Sequence, residues 1–346
     1  MRLLAAAASI VIFVGVVEAV LRLTGVDPFF QNRFFILNRA LDYPEIFKKD
    51  HDVFWRLRPN RTVTSKFFIG RTYHINEQGL HGPDVEPKGG RRRIITMGNS
   101  CTFGWGVAYE DSYPRRLEKK LEGGWDVVNG AVPGYTSLQG KRFYGKVLGD
   151  FKPDIVTVLF AFNDHWAAAG GIPDKKQEMP PQWLLDIQNS LGRLHTYRVL
   201  KKALLSAVEP DPDSLFSREA PVYRVGIEDF HKNLEEIGRM VQEDGARPIF
   251  LTSPIPSLDT YYPPGYKSNL HTYHELYNEM IRDAAGSNGW GLVDLARAFD
   301  HYRGLFDDPL VDPIHFNAGG HELAAELIYE YLQGTTDPTG DLPVTP

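Results

Sequence analysis

Five short β-branched runs, each followed by a helical stretch, constrain this chain more than any other feature. They are "IITM" (94–97), "DVVN" (126–129), "DIVTVLF" (154–160), "PIFLTS" (248–253) and "GLVDL" (291–295). Continuous apolar runs of this length suit strands of a parallel sheet. Helices cover both faces of such a sheet, so there is no wet face for polar residues to alternate toward. Helical stretches fall between the runs, at about 113–121, 137–148, 228–243 and 271–285, with a last one near 318–332. This alternation predicts a doubly wound α/β domain. Sites in such domains form where the strands end, at their carboxyl edge.

The rest of the chain is organised around that domain. Leu3 to Val17 is a 15-residue run without charge, and Ala19, Val20 and Leu21 extend it past Glu18. If Glu18 is tolerated near an interface, the run is about as long as the ~20 residues that cross a bilayer. Residues 1–26 are therefore expected to be a membrane anchor. A cleaved leader ending near Val17-Glu18-Ala19 is the alternative, and a buried core helix is a third reading. Both leading readings place the body outside the cytoplasm, on the periplasmic or extracellular side. Residues 27–90, rich in aromatics, Pro and Gly, read as an extension of short strands and turns packed on the catalytic domain. The domain itself is expected over 91–335. Residues 165–225 are too long for a simple crossover and read as an insertion, either a lid over the strand ends or a surface excursion. The Pro-rich tail, 336–346, reads as disordered.

Composition narrows the function classes. A net charge of −6 and a single basic run, Arg91-Arg92-Arg93, argue against a nucleic-acid partner. The lone cysteine, Cys101, excludes a disulfide within the chain. His271 and His274 share a helical face, but no third metal ligand accompanies them.

The strand ends carry the polar residues of interest. The first run leads into Gly98-Asn99-Ser100. Alone, this reads as a turn that caps the next helix, because a serine hydroxyl needs a neighbouring base to act as a nucleophile. The second leads into "NGAVPGYTS" (129–137), where Gly134 can bring a backbone N–H close to a developing oxyanion. A Pro-Gly turn before a helix capped by Thr136 or Ser137 is the plainer reading. The third ends in "FAFND", with Asn163 as a possible side-chain donor or an Asx-turn residue. After the last comes "VDPIHFNAGGHELAAELI" (311–328). Asp312 and His315 stand three apart, on a segment that Pro313 keeps out of helix. That spacing lets a carboxylate reach one ring nitrogen while the other faces outward. Asn317 is the expected N-cap of the final helix, and His321 reads as a surface or packing residue.

In this order the blocks "GNSCTFGWG", "NGAVPGYTS", "AFND" and "DPIH" resemble those of the SGNH (GDSL-like) hydrolase family, of the membrane-anchored or exported bacterial type. The resemblance spans about 93–332. It implies a flavodoxin-like three-layer α/β/α fold with a central parallel sheet, here with an added N-terminal helix. It implies a catalytic triad of Ser100 as nucleophile, His315 as base and Asp312 orienting the base. The oxyanion hole would comprise the Ser100 and Gly134 N–H groups and the Asn163 side chain. No cofactor or metal is implied.

Two departures stand out. Asn99 replaces the Asp that usually precedes the serine, and Phe162 stands where the family often has Gly. The expected activity is that of a serine esterase acting through an acyl-enzyme, on O-acyl groups of a saccharide or lipid. The same intermediate would serve an O-acyltransferase that passes the acyl group to a sugar hydroxyl. A non-catalytic carbohydrate-binding envelope protein is the remaining alternative.

Overall fold

The computed structural model describes residues 2–24, 44–64, 71–205, 222–257, 269–306 and 314–334. The first element is a 22-residue helix, α1 (Arg2–Leu23), rich in the helix-favouring Ala and Leu. Two hairpins follow, β1 (Phe47–Asp50) with β2 (Phe54–Leu57), and β3 (Arg61–Thr64) with β4 (Thr72–Ile75). Next, β5 (Arg92–Gly98) runs into a single helical turn, α2 (Ser100–Phe103). Then α3 (Tyr113–Lys120) precedes β6 (Trp125–Asn129), and α4 (Ser137–Phe143) precedes β7 (Ile155–Leu159). After α5 (Gln182–Leu191) and α6 (His195–Leu205), α7 (Ile227–Glu243) leads to β8 (Arg247–Leu251). Finally α8 (Asn269–Asn288) leads to β9 (Gly291–Val293), followed by α9 (Leu295–Asp300) and α10 (Ala318–Gln333).

The strands and helices expected between 93 and 332 are all present, with shifted ends. β9 is shorter than the run "GLVDL" because Asp294 caps α9, its side chain accepting the Arg297 N–H. A capping carboxylate pulls the chain out of the sheet one residue after Val293.

These elements belong to two units. One joins Met1–Arg58 to Glu178–Ala220, and the other joins Pro59–Gln177 to Pro221–Pro346. In the first unit, the β1–β2 hairpin turns on Asp50, whose Oδ1 accepts the Asp52 and Val53 N–H groups at 3.0 and 3.1 Å. Helix α5 locks onto β1 through Asn189. Its Oδ1 accepts the Lys49 N–H at 2.7 Å and its Nδ2 donates to the Lys49 carbonyl at 2.9 Å. The amide thus replaces a neighbouring strand at the hairpin edge. Arg58, buried at 7% exposure, donates to the Pro44, Phe47 and Asn189 carbonyls, so its charge is spread over three acceptors.

In the second unit a five-stranded parallel sheet runs in the order β6-β5-β7-β8-β9. Successive residues point to opposite faces, so both faces are apolar. Ile94, Val127, Ile155 and Ile249 join a core with Tyr113, Leu117, Phe299 and Ile328 from α3, α9 and α10. On the other face α4, α7 and α8 pack together, with α7 and α8 lying on β8. The result is the three-layer α/β/α arrangement. Burying each of these large side chains contributes roughly 1.5–3 kcal/mol. Strand order decides where chemistry can occur. From β5 the chain moves one way to β6 and the other way to β7, so a crevice opens at the carboxyl end of β5. Gly98 pairs with Leu159 in register, which sets the ends of β5 and β7 side by side.

Candidate active site

Ser100 emerges directly from the central strand. A Cβ at Gly98 would come within 2.2 Å of Thr102 Oγ1 and 2.8 Å of the Leu159 carbonyl, so the turn closes only around a glycine. Asn99 is the N-cap of α2, and its Oδ1 accepts the Cys101 N–H at 3.0 Å. An amide oxygen fills that place as a carboxylate oxygen would. The missing charge at 99 therefore leaves the brace of the turn intact.

The His315 segment meets this turn from the far end of the sequence. Ser100 Oγ lies 2.8 Å from His315 Nε2. Beside it, the buried Cys101 thiol donates to the Ile314 carbonyl at 3.1 Å. Cys101 thus packs inward and ties the serine turn to the residue preceding the histidine. Asn317 caps α10 as expected, accepting the Gly320 N–H at 3.1 Å. Asp312 lies outside the described residues, as do 336–346 and the aromatic stretch 259–266.

Two loops flank Ser100. The loop after β6 is fastened to the end of β5 by the Val132 N–H, which donates to the Gly98 carbonyl at 3.2 Å. Gly134 there has φ of +82°, a conformation that costs other residues about 1–2 kcal/mol. Thr136 and Gln139 close the loop with a capping box at the start of α4. The loop after β7 opens with Ala161 at φ +144°, a left-handed backbone held by a non-glycine residue. Such strain persists only where the surroundings enforce it. Two residues on, Asn163 Nδ2 donates to the Tyr135 carbonyl at 3.1 Å, joining the two loops. An amide nitrogen carries two N–H groups, so a second donor is available. Phe162 is buried and packs edge-on to His165, with centroids 5.2 Å apart.

Behind the Gly134 loop is a buried polar cluster that sequence reasoning missed. Arg224 and Asp174 form an ion pair at 2.8 Å, with side chains only 2% and 1% exposed. The guanidinium also donates to the Gly134 carbonyl at 2.9 Å and to Gln139 Oε1 at 2.7 Å, and Thr136 Oγ1 donates to Asp174. One cation thus holds the Gly134 peptide and the cap of α4 together. Its segment, "PVYRVG", offers no motif that marks it. Asp164 accepts from the Ser137 N–H and hydroxyl at 2.8 and 2.6 Å. Burial pushes its pKa up to about 7, against the pull of those hydrogen bonds, and its Oδ2 has no hydrogen-bond partner among the described residues.

Three buried histidines, His321, His274 and His165, pack within the second unit. His321 is fully buried and accepts the Tyr113 N–H at 3.2 Å, and burial lowers its pKa to about 3. It is a packing residue rather than a surface one. His274 pairs with His165 at 2.9 Å and with the Ser253 carbonyl at 2.6 Å. Burial lowers His274 to about 4 and holds His165 well below the ordinary range. Among the described residues no three potential metal ligands come together.

An α/β sheet with a serine–histidine contact at its switch point defines a hydrolase class, and the sequence profile agrees. The GDSL-like lipase/acylhydrolase family matches residues 96–323, and the chain belongs to that family of ester-bond hydrolases. No curated protein sequence matches the chain. Among solved structures, an α/β hydrolase, LAE5, from the metagenome of Lake Arreo is similar at 18% identity. The match covers 71% of this chain and 97% of that one, with a TM-score of 0.47. The acetyl xylan esterase AlAXEase is similar at 15% identity, covering 69% and 99%, with a TM-score of 0.47. A lipase/acylhydrolase from Enterococcus faecalis is similar at 20% identity, covering 71% and 98%, with a TM-score of 0.44.

Proposed function

We propose that the chain is a membrane-anchored serine esterase whose acyl-enzyme forms on Ser100. The 2.8 Å contact between Ser100 Oγ and His315 Nε2 carries this reading. Ser100 Oγ attacks the ester carbonyl while His315 takes its proton. The oxyanion is received by the Ser100 and Gly134 N–H groups and the second N–H of Asn163. His315 returns the proton to the departing alcohol, and the acyl group stays on Ser100. Water then attacks that acyl group, giving its proton to His315, and the acid leaves as Ser100 recovers its hydroxyl. Asp312 orients His315 in this scheme. The substrate class is an O-acyl group on a saccharide or lipid.

The anchor reading rests on α1. Leu4–Leu23 is 20 residues long, apolar enough to cross a membrane, and none of its most apolar window is buried. Its one acidic residue is engaged: Glu18 accepts hydrogen bonds from the Thr196 N–H at 2.8 Å and the His195 N–H at 3.0 Å. Cleavage at Val17-Glu18-Ala19 would remove this cap from α6, so retention of α1 is favoured over a cleaved leader. The proposed location of the body is outside the cytoplasm.

A fluorophosphonate probe tests the catalytic reading. The wild type should be labelled and should hydrolyse short p-nitrophenyl esters, and Ser100→Ala should do neither. Labelling that persists in Ser100→Ala would refute the assignment. Labelling with negligible hydrolysis, and p-nitrophenol release that appears only when sugar acceptors are added, would replace the esterase with an acyltransferase.

A further inference from the structure

The unit built from Met1–Arg58 and Glu178–Ala220 wears apolar side chains on its outside. On α5, Trp183, Ile187 and Leu191 recur every four residues and are 65%, 49% and 39% exposed. They form one face of the helix. Leu185 and Asn189, on the opposite face, are buried. On α6, Val199, Leu200 and Leu204 are 40%, 60% and 65% exposed. Only Gly192, Arg193 and Leu194 separate the two helices. Scattered exposed apolar residues are ordinary, but six on two consecutive helices mark a surface that meets something other than water.

The attachment of α6 to α1 indicates what that is. Glu18 caps the first turn of α6 through the His195 and Thr196 N–H groups and the Thr196 hydroxyl. Arg22 pairs with Glu18 at 2.8 Å and donates to the Arg193 carbonyl at 3.1 Å. The corner between α5 and α6 is therefore bolted to the last turns of α1. At ~1.5 Å per residue, Glu18 lies about 8 Å from the end of α1 at Leu23. The headgroup layer on each side of the hydrocarbon core is of that order, ~5–8 Å. A helix begun at that depth starts at the boundary between headgroups and acyl chains. There a carboxylate and an arginine cost less than at the bilayer centre, and Trp is at home.

We infer that α5 and α6 form an interfacial platform that lies in the bilayer surface, with Trp183, Ile187, Leu191, Leu200 and Leu204 among the lipids. The inference rests on the reading of α1 as a retained anchor. It assigns the apolar face a single occupant, the lipid bilayer. It also accounts for Glu18, which interrupts the apolar run yet caps the helix that rests on the membrane.

The test uses the full chain reconstituted in phosphatidylcholine vesicles, with or without acyl chains brominated just below the headgroup. The emission due to Trp183 is the difference between wild type and Trp183→Phe. Bromolipid should quench that difference at least about twofold, as expected for a side chain ~5–10 Å into the boundary layer. Aqueous iodide should leave it nearly unchanged. A difference signal quenched by iodide but not by bromolipid overturns the platform while leaving the anchor in place, provided the protein still floats with the vesicles. Insensitivity to both quenchers, with cross-linking into dimers, would assign the face to a second copy and also overturns it. Failure of the wild type to float with vesicles overturns the anchor reading and the platform together.

Discussion

The two units differ in what they bury and what they expose. In the α/β unit the large apolar side chains are inside, and so is an unusual set of polar ones: Arg224, Asp174, Asp164, His165, His274 and His321. Arg224 and Asp174 hold the Gly134 loop, and Asp164 holds the start of α4. In the N-terminal unit Phe47, Trp55 and Leu185 are buried, apolar residues of α1 and of one face of α5 and of α6 face outward, and the buried polar residues Arg58 and Asn189 stitch a hairpin to a helix. Burial of a polar group is costly and persists only where it is hydrogen-bonded and useful. Contiguous outward apolar faces, unlike scattered residues, mark a surface that meets another apolar phase. The proposed chemistry lies in one unit and the proposed attachment in the other.

The contrast can be broken from either side. The largest effect is expected from His315→Ala, which removes the proposed base and should lower kcat for p-nitrophenyl esters by about 10⁴–10⁶-fold with vesicle binding unchanged. Arg224→Met should follow. It removes the buried cation that faces Asp174, costing about 3–5 kcal/mol in urea unfolding, whereas Arg224→Met with Asp174→Leu should recover much of that loss. If the single change were neutral, the cluster would not be holding the Gly134 loop. Asn163→Ala should reduce kcat by about 10²–10³-fold, and should also lower stability by about 1–3 kcal/mol because the Tyr135 carbonyl loses its buried donor. Equal losses in KM and none in kcat would demote Asn163 to substrate binding.

Acid titration should separate the buried histidines from the buried aspartate. His81 and His274 are lowered to about 4 and His321 to about 3, each by burial. Such groups take up protons on unfolding, so the stability they carry is present above the ordinary histidine pKa and is lost as pH falls through 6.5 toward 4. Asp164, raised to about 7, works in the other direction, and its share is lost as pH rises from about 4 to 7. At about 1 kcal/mol per group per pH unit, the three histidines outweigh the one aspartate, and unfolding free energy should fall steadily below pH 6.5. His321→Asn should flatten that slope by about one proton. The smallest effect is expected in the other unit. Glu18→Ala removes the α6 cap, worth about 1 kcal/mol, so the His195 and Thr196 amides should exchange with solvent about fivefold faster while esterase activity stays constant.

Much of this was legible before any coordinates. The β-branched runs and the helices between them predict the sheet because periodicity and burial are local properties of the chain. Ser100, Gly134, Asn163 and His315 could be singled out because each directly follows a strand or precedes the last helix. Asn99 was a question at that level, and the cap to the Cys101 N–H answers it. Arg224 and Asp174 were not legible. They are 50 residues apart, neither sits in a motif, and their worth comes from a shared interior that sequence spacing does not encode. Glu18 could be read only as a flaw in an apolar run, because its partners at 195 and 196 are more than 170 residues away.

The sequence by itself determined the layered α/β class, the chain order of the site residues and the apolar helix that precedes them. These follow from continuous apolar runs, from helical patterns of period 3.6 and from residues adjacent to strand ends. Tertiary structure decided the strand order that puts β5 between its two flanking loops, the 2.8 Å approach of His315 to Ser100, and the outward apolar face fastened to α1. Those depend on contacts between residues far apart in the chain, whose free energy appears only once the backbone has brought them together.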